Sequence, residues 1–70
     1  MDENEALLAA DEAAIVLHVK LGTVYDWTAR GVLPHVRILA GRRRAVIRFR
    51  RSELEAFIRE HTVPAREGGR

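Results

Sequence analysis

Residues 9–34, AADEAAIVLHVKLGTVYDWTARGVLP, constrain the fold more than any other part of the chain. Ala13, Val16 and Leu17 recur at helical spacing and predict a short helix from Ala10 to Leu17. His18, Val19 and Lys20 then form a turn. Val24, Trp27 and Thr28 repeat the i, i+3, i+4 pattern, which predicts a second helix from Leu21 to Arg30 with Gly31 placed to end it. Helices this short bury too little to stand alone. They form a unit only by packing crosswise, and that packing leaves the outer face of the second helix free.

Such a unit is a helix-turn-helix, whose free face fits the major groove of DNA. Local signals at its ends are weak. Ala9, the expected N-cap of the first helix, lacks a side-chain acceptor, and Asp11 and Glu12 compensate only through the helix dipole. Lys20 stands where a Ser or Thr cap would suit the second helix, and Gly22 lowers helix propensity just after it. Ile15 falls outside the apolar stripe and is expected at the surface, harmless or touching a neighbouring protomer. Trp27, on the Val24 side, is expected in the core.

From Val36 the period changes to alternation. Val36 and Ile38 are expected on one face with Ile47 and Phe49 of the returning segment, leaving Arg37, Arg48 and Arg50 opposite. LAGRRRA between them, with Gly41 at the bend, predicts a β-hairpin carrying Arg42, Arg43 and Arg44 at its tip. SELE at 52–55 reads as a capping box that opens a third helix with Leu54, Phe57 and Ile58 inward, closed near Val63-Pro64. Leu7 and Leu8 are expected to tuck under the first helix. The fold class is therefore mainly α with a two-stranded wing, a winged helix-turn-helix of three helices. It is expected over residues 7–61, between an acidic flexible lead (1–6) and a flexible tail (62–70).

Seventy residues make one small domain, and without cysteine neither disulfides nor a thiolate metal site can staple it. Formal net charge is only +2, but it is polarised. Residues 1–12 carry five acids and no base, while residues 30–51 carry eight arginines and no acid. That density of planar guanidinium forks suits phosphates and guanine edges. Candidate DNA contacts follow from the pattern. Lys20, Tyr25 and Arg30 can reach phosphates, and Thr23 a base edge or thymine methyl. Asp26 can accept from cytosine N4 or orient an arginine. Arg37, Arg42, Arg43, Arg44 and Arg48 supply the wing, whose tip can enter a narrow minor groove.

The order of parts resembles the excisionase-like group of MerR-type winged-helix DNA-binding domains. ADEAAIVLHV matches the first helix, TVYDWTARGVLPHVRI the second helix and first wing strand, GRRR the wing tip, and IRFRRSELEAFI the return strand and closing helix. The resemblance implies DNA binding without catalysis, in recombination directionality or in transcription regulation. The chain departs from the family at His18, Lys20 and Asp26, where members carry Gly, Ser and a basic residue. Those changes shift the weight of DNA contact toward the wing.

Three function classes compete. The leading expectation is an excisionase that bends or coats double-stranded DNA at repeated sites, by self-association or cooperative binding, with an integrase as partner. It is favoured because no sensor domain is evident, and a stand-alone MerR-like transcription regulator is the near alternative. A protein-interaction adaptor that kept the fold comes next, motivated by Ile15 and the acidic lead. An enzyme fits least. His18, His35 and His61 have no metal-ligand or catalytic spacing, and no phosphate loop occurs, so no cofactor and no small-molecule ligand is expected. The acidic start is unlike a signal peptide and no apolar run reaches membrane length, so a cytoplasmic, nucleoid-associated location is expected.

Overall fold

The computed structural model describes residues 6–65. In chain order they form β1 (Leu7–Leu8), α1 (Ala10–Leu17), α2 (Leu21–Ala29), β2 (Val36–Leu39), β3 (Ala45–Arg50) and α3 (Arg51–Glu60). This is the expected winged helix-turn-helix with one addition. Leu7 and Leu8 do not merely lie under α1. They pair with β3 as an antiparallel edge, Leu7 opposite Arg50 and Leu8 opposite Phe49, giving a three-stranded sheet in the order β1-β3-β2. A two-residue strand has no periodicity to detect, which is why the sequence pattern does not reveal it.

The core is built from small residues on α1 and large ones elsewhere. Ala10, Ala13 and Ala14 are buried, and so are Val24, Leu33, Phe49 and Leu54. Alanines along α1 let α2 and α3 approach its axis closely, while Phe49 fills the space where sheet and helices meet. Val16, Leu17 and Trp27 pack against this core half-buried. The Trp27 ring lies 6.0 Å from that of Phe57, tilted by 45°, within the range of a favourable aromatic pair. Leu33 is a core residue that helical spacing does not predict, because it follows α2. Gly31 takes φ +72°, and the amides of Val32 and Leu33 both donate to the Trp27 carbonyl, which folds Leu33 back inside.

Three local expectations need correction. Ser52 is not the N-cap of α3: pairing with Leu7 holds β3 extended through Arg50, so α3 starts at Arg51 and Ser52 is already helical. Ile58 is 41% exposed rather than inward, since Leu54 and Phe57 complete the stripe that α3 presents. At the start of α1, half a capping box exists despite Ala9. The Glu12 carboxylate accepts the Ala9 amide at 2.8 Å, and Asp11 accepts the Glu12 amide at 3.0 Å.

The turn between α1 and α2 is tight because His18 adopts the left-handed region, φ 59° and ψ 46°, where its amide bonds the Ile15 carbonyl. A side chain there costs about 1–2 kcal/mol. His18→Gly is therefore expected to stabilise the protein by up to about 1 kcal/mol, the relief being offset in part by glycine's greater freedom when unfolded. Phe49→Ala is expected to cost about 3–5 kcal/mol, as for other buried aromatics. That is comparable to the whole stability of a domain this size. Urea titrations followed by circular dichroism measure both.

Candidate nucleic-acid interface

The strand register decides which arginines face which way. Val36 lies opposite Arg48, Arg37 opposite Ile47, Ile38 opposite Val46 and Leu39 opposite Ala45. Directly opposed residues in an antiparallel pair point to the same side. The helix-facing side therefore carries Phe49, Ile47, Ala45, Arg37 and Leu39, and the outer side carries Val36, Ile38, Val46, Arg48 and Arg50. This overturns the expected grouping of Val36 and Ile38 with Ile47 and Phe49, and of Arg37 with Arg48 and Arg50. The cause is the loop. Leu39 and Ala45 close a five-residue connection, Ala40 to Arg44, with Gly41 at φ +95° and the Ala40 amide donating to the Arg44 carbonyl at 2.9 Å. A loop with one residue more or fewer shifts the register by one and flips every side chain on the partner strand.

The corrected register separates two expected contacts. Arg37 comes round to α2, where it lines a hollow with Tyr25, Thr28, Ala29, His35 and Ile47. Arg48 leaves the other face of the hairpin, half-buried, with its Nη1 donating to the Ile47 carbonyl at 2.8 Å, and it lines the neighbouring hollow with Tyr25, Leu21 and Ile47. The structure thus does not bring Arg48 together with Arg37.

The outer face of α2 is as the spacing predicts: Leu21, Gly22, Tyr25, Asp26 and Ala29 are all exposed. Thr23 is half-buried in the first turn. Lys20 is the N-cap by backbone alone, its carbonyl accepting the amides of Thr23 and Val24 while its side chain stays exposed. Tyr25, 57% exposed, borders two adjoining hollows between α2 and the wing. The second of these runs past Leu21 to Asp11 at the start of α1. Ile47 lies in both hollows, which makes a valley with an apolar floor between helix and hairpin. Arg42, Arg43 and Arg44 are exposed at the tip.

Electrostatically the valley is mixed. Asp26 and Arg30 form an i, i+4 ion pair at 3.5 Å, both side chains 59% exposed, so each screens the other at the end of α2. Arg37 and the three tip arginines have no ion pair of this kind among the described residues. Positive charge therefore concentrates on the wing.

Sequence reasoning missed His35 and Ile47 as parts of this surface. His35 is set by its Nδ1–H donating to the Leu33 carbonyl at 2.8 Å, a turn that follows Gly31 and Pro34. Ile47 becomes visible only once the loop length is known. Among the described residues no group of three or more His, Cys, Asp or Glu side chains could hold a metal ion, and no helix is long and apolar enough to cross a membrane.

A family model described as a helix-turn-helix domain matches residues 7–62. Neither a curated protein nor a solved structure matches the chain. Since the family match runs from the first residue of β1 to just beyond α3, taking in the helical pair and the wing alike, the chain belongs to the helix-turn-helix domain family and is a small DNA-binding protein.

Proposed function

We propose that α2 enters the major groove of duplex DNA while the β2–β3 wing lies over the adjacent minor groove. The placement of Arg37 beside Tyr25 carries this reading: the wing and the exposed face of α2 open on one side and share one valley. Tyr25 and Lys20 contact phosphates along the groove, Thr23 reaches a base edge, and Arg37 with Arg42, Arg43 and Arg44 holds the minor-groove side. Arg30 acts through its pair with Asp26 and contributes less than a free arginine. Arg48, which lines the second hollow with Tyr25, adds a contact from the base of the wing.

The biological role we propose is that of an excisionase-type recombination directionality factor, which rests on the resemblance of ADEAAIVLHV, TVYDWTARGVLPHVRI and GRRR to that group. A single module of this kind buries only about 600–1,000 Å² on DNA. Copies side by side on repeated sites raise the affinity, and the bent or coated DNA is what an integrase meets. The domain spans residues 7–61 in this reading, and it performs no catalysis.

Fluorescence anisotropy of a labelled mixed-sequence duplex over a salt series tests the proposal. Replacing Arg42, Arg43 and Arg44 by Ala together is expected to weaken binding and to flatten the log–log salt slope by about 0.9 for each phosphate that is no longer neutralised. An unchanged slope would remove the wing from the interface. Asp26→Asn frees Arg30 and is expected to tighten binding and steepen the slope by up to about 0.9. No change in either quantity would place the end of α2 off the DNA.

A further inference from the structure

Leu39 is the least explained apolar residue on the wing. It is 71% exposed, and it is not among the residues packed on the core. Its cross-strand neighbour is Ala45, itself exposed and too short to cover it. Along β2 it shares the helix-facing side with Arg37, two residues before it, and the arginine tip follows within five residues. An isobutyl group thus stands clear of the hairpin between two sources of positive charge. The backbone beneath it is held firm, because Leu39 is paired in the ladder and the next amide, that of Ala40, bonds the Arg44 carbonyl.

We propose that Leu39 is an apolar wedge that the wing sets between two base pairs from the minor-groove side, unstacking that step and kinking the duplex. The inference rests on the DNA-binding reading above and deepens it. The occupant follows from charge: an exposed leucine flanked by Arg37 and Arg42–Arg44 meets a surface that is polyanionic at its rims and apolar within. A base step between two phosphate backbones has that character, and minor-groove proteins use leucine in this way. Flexible TA steps yield to such a wedge most readily. Ile38, on the other face of the strand, points away from Arg37 and takes no part.

The test uses a short alternating dA–dT duplex carrying 2-aminopurine beside TA steps, with a donor and an acceptor dye at its ends. Binding of the full chain is expected to raise 2-aminopurine fluorescence and to bring the ends closer. Leu39→Ser is expected to keep the salt slope, because every arginine remains, and to lose both the fluorescence rise and the end-to-end approach at saturating protein. Leu39→Met keeps all of them. Thermal melts establish that both variants fold. A Leu39→Ser protein that still unstacks and bends the duplex overturns the wedge, as does wild-type binding with no fluorescence rise. Those outcomes leave DNA binding standing. Failure of the wild type to bind at low salt overturns the DNA-binding reading and the wedge with it.

Discussion

Burial of Phe49 is the contact on which the rest of the structure depends. It is fully enclosed, it sits in the central strand β3, and it lies one residue from the strand's end. Around it converge β1 through Leu8, α1 through its alanines and α3 through Leu54. Because β3 passes directly into α3, burying Phe49 sets the direction of the closing helix and the angle at which the hairpin leaves the core. The wing's reach toward α2 is a consequence of that angle. Alanine at 10, 13 and 14 makes the arrangement possible, since larger residues there would hold the helices apart.

Much of this was legible in the residues. The bounds of α1 follow from its apolar spacing, and α2 ends within one residue of where Gly31 placed it. Trp27 packs inward and Ile15 outward, as their positions on the helices require. The failures share a physical origin: each involved a residue whose role is set by something other than the apolar period of its own segment. Register depends on loop length, and GRRR does not announce whether Gly41 adds a residue to the turn. Ser52 has the right pattern for a cap, but pairing of Arg50 with Leu7, more than forty residues away, starts the helix before it. Leu33 enters the core because of a glycine turn rather than a period.

The candidate interface shows the same division. That arginines crowd the hairpin was plain from composition, and so was the exposed face of α2. Which arginines cooperate was not. Arg37 and Arg48 leave opposite faces of the hairpin, because a one-residue shift exchanges the two faces of a strand, although each borders a hollow that Tyr25 also lines. The Asp26–Arg30 pair lowers the charge that α2 can offer. The proposed interface therefore leans on the wing. The acids of the first turn of α1 are engaged with the helix's own amides, which leaves them poor competitors for the arginines.

The most direct test of the account is to map which backbone amides shift when a duplex is titrated into ¹⁵N-labelled protein. We expect the largest changes from Lys20 to Tyr25, at Arg37 to Leu39 and through Gly41 to Arg44, with the exposed side of α3 around Glu55 and Arg59 unmoved. Shifts centred on α3, with the wing and the start of α2 silent, would contradict the placement of the interface and leave the fold without the function assigned to it.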